Sequence, residues 1–279
     1  IGLLFTWSVA IVSPPSANRA LAVRLYLLAA WLVTGGVAAY LTRRFVTPIP
    51  LYFWMDGFTL LLCVQILTSI NERDHWGLRM MRTIPRRWWL RGPAFLLYSG
   101  AMGGILFAVV LIGLTIGPPS YFLWRGLDSF FHLPRYEIDF SNINAMVMVL
   151  IALYTFNYGM TAVVLRNMLL PRRLKSLFTW LIAVLLAGLG FSLPFIFLFL
   201  FDNEDLRTGQ VDPWWHITNA PVTIYNIAME WRSETGRDFR TGSMLFLGIW
   251  AVLMILLCLP WMSRQIARFR PPDRVEVVD

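Results

Sequence analysis

Asn71–Pro93 reads NERDHWGLRMMRTIPRRWWLRGP and lies between two long apolar runs. It carries six arginines against two acids. Glu72, Arg73 and Asp74 open it, and a short amphipathic piece around Leu78 and Met81 follows. Pro85 breaks that piece, and Arg86, Arg87, Trp88 and Trp89 lead into the next apolar run. A chain that leaves a bilayer and re-enters it through such a stretch has a basic, aromatic, surface-lying element on the cytoplasmic side. Arg86 and Arg87 are placed to meet anionic headgroups, with Trp88 and Trp89 as interfacial anchors. The element is well placed to receive a force or a partner.

The rest of the chain supplies the membrane around it. Of 279 residues, 57% are hydrophobic and 14% charged, and the mean hydropathy is +0.60, an integral-membrane profile. An apolar run of about 20 residues crosses the hydrocarbon core. Six runs qualify: Ala22–Thr42, Leu51–Ile70, Ala94–Gly117, Ile143–Leu165, Leu177–Phe201 and Ser243–Met262. The expected fold is an all-α, polytopic membrane helix bundle with six full transmembrane helices. Residues 1–19 read as the truncated end of a preceding helix with its linker, 20–272 as the six-span domain, and 273–279 as a cytoplasmic tail.

Sixteen of the 24 basic residues fall on one side of this threading and eight on the other. The richer side takes Arg19, Arg24, the six arginines of 73–91, the 166–175 loop and the arginines from Arg264 onward. The positive-inside rule makes that side cytoplasmic, and the C-terminus with it. The outer segments 118–142 and 202–242 are long and aromatic. Both are expected to form short helices at the outer interface, the second with Trp214 and Trp215 as anchors.

Polar chemistry is sparse. His75, His132 and His216 all fall in loops on this threading, so no pair faces across the bundle as a haem site requires. There is no phosphate-cradling GxxxxGK[ST] loop. No nucleophile, base and orienting group fall together. No catalytic, cofactor-binding or metal-ligating residue is expected, nor a nucleic-acid partner. Cys63 and Cys258 sit in apolar runs and read as packed thiols. Asp56 reads as a hydrated residue at the outer end of the second span. Gln65, Asn157 and Thr161 read as interhelical hydrogen-bonders. Gly100, Gly103 and Gly104 allow close packing, and Gly188, Gly190 and Pro194 mark a kink.

The order of elements, with Glu72-Arg73-Asp74, Gly77, Leu78, Met81, Thr83-Ile84-Pro85 and the trailing Arg86-Arg87, resembles the type-2 ABC exporter permease family. His75-Trp76 and Arg79 depart from the family's pattern. Thr218-Asn219-Ala220-Pro221 before the last span is a weaker match to that family's outer re-entrant region. The resemblance covers about residues 20–272. It implies that 71–93 is a cytoplasmic amphipathic coupling helix, with Glu72, Arg73, Asp74, Leu78, Met81 and Pro85 contacting a separate ABC-type ATPase subunit. It also implies a second permease half, as a homodimer or pseudo-dimer, and a place in the bacterial cytoplasmic (inner) membrane. ATP hydrolysis is expected on the partner and none on this chain. The alternative is a non-transporting scaffold subunit of a larger membrane complex, descended from a permease fold.

Overall fold

The computed structural model describes residues 18–45, 47–72, 76–130, 135–169, 175–201, 213–229, 231 and 233–272, with isolated positions before residue 18. Side-chain surroundings are described for fewer residues; those of 122–142 and Trp215 are among the exceptions. Arg73, Asp74, His75, His132 and the 273–279 tail lie outside the described residues.

The described elements are helical. They are α1 (Arg19–Phe45), α2 (Ile49–Ser69), α3 (Leu78–Met81), α4 (Trp88–Leu97), α5 (Ala101–Phe130), α6 (Arg135–Leu169), α7 (Lys175–Phe201), a 3-10 turn (Pro213–His216), α8 (Ala220–Met229) and α9 (Glu234–Arg268). Six of these helices, α1, α2, α5, α6, α7 and α9, are long and apolar enough to cross a membrane. The protein is a helical, multi-pass membrane protein. Apolar faces left exposed on α1, α7 and α9 suit lipid contact, since lipid tails are as apolar as the side chains they meet.

The chain forms two compact units, residues 1–115 with 258–279 and residues 116–257, and both α5 and α9 contribute to each. In the first unit α1 and α2 pack as a hairpin. Trp54 donates to Thr34 Oγ1 at 3.1 Å, its ring tilted against Trp31 at 5.7 Å. A Cβ on Gly35 would run into the Trp54 ring, so the helices close on a glycine there. In the second unit α6 packs on α7, and the 3-10 turn and α8 lie against them. Asn157 Nδ2 donates to Leu247 O at 3.0 Å, and Trp250 Nε1 to Thr161 Oγ1 at 3.1 Å, so Asn157 and Thr161 do join helices. Gln65 does not: its amide donates within α2, to Ser69 Oγ at 3.0 Å, four residues on. Cys63 and Cys258 are buried free thiols.

Three expectations about element boundaries need correction. The run Ala94–Gly117 is not one helix: the chain leaves the helix after Leu97 and resumes it at Ala101. The run also does not end at Gly117, because α5 continues through Pro118 and Pro119 to Phe130. A proline removes a donor and bends a helix, yet its fixed φ is helical, so a pair near a span's end need not stop it. Finally, α9 starts nine residues before Ser243, at Glu234, with Ser233 Oγ accepting from Gly236 N at 2.9 Å. That is the serine N-cap geometry, and it sets the start independently of hydropathy.

Candidate functional site

The two helices of a hairpin run antiparallel, so the start of α1 and the chain just past the end of α2 share one end. Arg24, in the second turn of α1, and Glu72, three residues beyond Ser69, meet there. Arg24 is fully buried, and its Nη2 lies 2.6 Å from both carboxylate oxygens of Glu72. A guanidinium taken out of water needs such pairing and further acceptors. It finds them in the gap between α4 and α5. Arg24 Nη1 donates to Leu96 O at 3.0 Å and to Tyr98 O, and Nη2 reaches Gly100 O at 3.4 Å.

The same gap is served from two other places. Gly100 N donates to Glu72 Oε2 at 2.6 Å. Ser99 N donates to Asn18 Oδ1 at 2.9 Å, and Trp76 Nε1 donates to Ser99 O at 2.5 Å. Five backbone groups that an unbroken helix would pair by itself, Leu96 O, Tyr98 O, Ser99 O, Ser99 N and Gly100 N, are thus met by Asn18, Arg24, Glu72 and Trp76. Non-helical backbone in a membrane protein requires such partners within the protein. Gly100 has φ +153°, which disfavours any side chain. Cβ atoms on Gly103 and Gly104 would strike Phe95 O and the Ser69 and Arg24 side chains. The three glycines therefore serve the bend and its close approaches.

Below the gap, Trp76, Met80, Ile84, Ala94, Phe95, Met102 and Phe269 form a buried cluster, with Met81 and Tyr98 against it. Phe269, just past α9, presents its ring edge-to-face to Trp76, Phe95 and Tyr98 at 5.2, 5.3 and 5.4 Å. Tyr98 OH donates to Thr83 O at 2.7 Å. The segment 76–84 is thereby packed onto the gap and onto the end of the last helix.

The residues expected to contact a partner do not form one shared surface. Glu72 lies outside the segment's helix, because α3 begins only at Leu78, with Gly77 at its N-cap and no side-chain cap bond. The Glu72 carboxylate is instead committed to Arg24 and Gly100. The segment is also not one amphipathic helix, since α3 has four residues and turns separate it from α4. Leu78 is 61% exposed while Met81 is partly covered by the cluster, so the two are not one free face. The residue buried from α3 is Met80. Pro85 sits in the turn that ends the piece, where Arg91 donates to Pro85 O at 3.3 Å and Arg86 O at 2.9 Å. Arg86 and Arg87 are exposed, as are Trp88 (81%) and Trp89 (54%), with the Arg87 guanidinium 6.0 Å from the Trp89 ring centre.

In the sequence Arg24 stands out only as one of the basic residues on the cytoplasmic side. Trp76 stands out only as a departure from a family pattern. The available signal was Tyr98-Ser99-Gly100, a polar triplet with a glycine inside an apolar run, together with one arginine and one glutamate at the same end of a hairpin.

The 218–221 match falls on a second polar cluster. Pro194 inside α7 has no N–H for Gly190 O, and Thr218 Oγ1 donates to that carbonyl at 3.4 Å. Asn219 Nδ2 donates to Phe191 O at 3.1 Å, while its Oδ1 accepts from Val222 N at 3.3 Å at the start of α8. Tyr154 and Tyr158 donate to Ile217 O and Thr218 O, each at 2.6 Å. Gly190 is needed because a Cβ there would strike the Tyr158 hydroxyl. Thr223 Oγ1 donates to His216 O at 2.8 Å. His216, read as a loop residue, ends the 3-10 turn; it is 5% exposed, its ring is 5.0 Å from that of Phe195, and Nδ1 has no partner. Burial lowers its pKa below the usual histidine value. Trp214, expected as a membrane anchor, is 45% exposed and packs edge-to-face on Phe239 at 5.3 Å.

Among the described residues no three of His, Cys, Asp and Glu come together as metal ligands. Comparison with protein-family models, curated proteins and solved structures gave no match.

Proposed function

We propose that this chain is the membrane-spanning permease subunit of an ATP-driven exporter of the type-2 ABC class, with residues 71–93 as its input element. The supporting observation is mechanical. Trp76 and Glu72, both in the connection between the second and third spanning helices, hold the broken turn at Ser99 and Gly100. A push on that connection acts directly on the backbone of a spanning helix. On this reading the input end faces the cytoplasm of a bacterium, a separate ATPase subunit docks there, and a second permease half completes the transporter. Arg86, Arg87, Trp88 and Trp89 sit at the lipid surface beside the docking face.

A scaffold subunit is the second reading, and the commitment of Glu72 to Arg24 favours it, since that carboxylate is not presented to a partner. One experiment separates the two. The protein is purified from native membranes and its companions identified, for wild type and for Leu78→Asp. Leu78 is chosen because it is exposed, whereas Met81 packs on the cluster. The permease reading expects an ATPase subunit with the wild type and its loss from the variant. Membrane companions without any ATPase overturn the permease reading in favour of the scaffold.

A further inference from the structure

We infer that Tyr98–Gly100 is a two-state hinge and that Arg24, Glu72 and Trp76 form the latch holding it bent. Leu96 O, Tyr98 O, Ser99 O and Gly100 N each have two alternative partners. In the bent state observed, Leu96 O and Tyr98 O take Arg24, Ser99 O takes Trp76, and Gly100 N takes Glu72. In a continuous helix Gly100 N would return to Leu96 O, while Tyr98 O and Ser99 O would accept from Met102 and Gly103. The groups that the latch bonds in the bent state are the same ones a continuous helix would pair internally, which is what allows a membrane helix to switch between the two.

Local chemistry permits both states. Gly100 reaches its positive φ without a Cβ and is equally free to become helical. Gly103 is required only by the bend, where Phe95 O occupies the place a Cβ would take. Glu72 and Trp76 lie in the connection that follows α2, so moving that connection withdraws a donor and an acceptor from the turn together. Arg24 belongs to α1 and stays behind as a fixed post. Released, α4 and α5 join into one longer helix. The hinge rests on this geometry alone; a partner's push as its trigger rests on the permease reading.

The test uses the full chain alone in lipid nanodiscs, with Cys63 and Cys258 replaced by alanine and spin labels at Gly92→Cys and Val110→Cys. Both positions are exposed, and a Cβ at Gly92 meets nothing. A continuous helix would place the two backbones about 27 Å apart, at about 1.5 Å per residue. Wild type is expected to give a shorter main distance. Trp76→Phe keeps the ring and removes the donor to Ser99 O, and Glu72→Gln removes the charge. Each is expected to move population toward the long distance, and Gly103→Ala to do so without touching the latch. An unchanged distribution in Trp76→Phe and Glu72→Gln overturns the latch, even if Gly103→Ala lengthens the distance. A long distance in wild type overturns the bent resting state. No ATPase is present, so failure here is distinct from failure of the co-purification experiment.

Discussion

Trp76 and Phe269 are 193 positions apart in the sequence, and their rings meet edge to face at 5.2 Å. The contact joins the connection after the second spanning helix to the residue that follows the last one. Phe95 and Tyr98 close the cage from the other sides.

Phe269→Ala empties that cage. Loss of a buried phenylalanine costs about 3–5 kcal/mol, plus edge-to-face terms. Exposed Arg264 and Arg268 precede the ring and are trypsin sites, whereas Pro271 blocks cleavage after Arg270. Tryptic cleavage at Arg264 and Arg268 in detergent is expected to speed up by at least tenfold in the variant. An unchanged cleavage rate would mean that the ring does not hold the tail.

Topology is open to a direct check. Single cysteines at Arg82 and Arg237, in a background without Cys63 and Cys258, are expected to differ toward an impermeant thiol reagent. Position 237 should label in intact cells and position 82 only after permeabilisation, following the sixteen-to-eight basic asymmetry. The reverse pattern would invert the orientation.

Asn219 performs two tasks that one substitution can separate. Asn219→Asp keeps the acceptor for Val222 N and even suits a helix start, but it has no amide donor for Phe191 O. The variant is expected to lose about 1–3 kcal/mol, the cost of leaving a buried partner unmet. A melting temperature equal to wild type would show that Phe191 O does not depend on Asn219.

His216 predicts a pH effect of definite sign. Its folded-state pKa lies below the unfolded value of about 6.5 because burial disfavours the imidazolium. Below that pH the unfolded chain takes up a proton that the folded chain refuses. Stability is therefore full above about pH 6.5 and falls as pH drops toward the folded pKa, by at most about 1.4 kcal/mol per pH unit. Thermal unfolding between pH 7.5 and 5 should show the loss in wild type and a flatter profile in His216→Gln. Equal slopes would assign the effect to other groups.

The number and placement of the spanning helices were legible because each needs an apolar run of fixed minimum length. Their ends were not. The start of α9 is fixed by Ser233 as a cap and by Phe239 packing on Trp214, both local events in polar sequence. The break at Tyr98–Gly100 was hidden because hydropathy averages over three residues, and its stability depends on Arg24, which is 74 positions from Tyr98 in sequence. The covering of Met81 and the commitment of Glu72 follow from tertiary contacts with the Trp76 and Phe269 cluster and with Arg24, which no local pattern encodes. Asn157 and Thr161 were readable as helix-joining residues because a lone polar side chain in an apolar run must find its partner on a neighbour.

The proline in α7 also sets an order of events during synthesis. The ribosome completes residues 178–196 before it makes Thr218 and Asn219. When that segment first meets the bilayer, Gly190 O lacks the donor that position 194 cannot provide, and Phe191 O lacks its amide partner. Lipid offers no substitute, so the segment enters the membrane with an open polar notch that costs several kcal/mol per unmet group. The notch closes only when the chain doubles back through residues 213–220. Assembly of this part of the protein is thereby a two-step process, and a chain stopped at residue 212 would leave the insertion machinery holding a helix that is not yet at home in lipid.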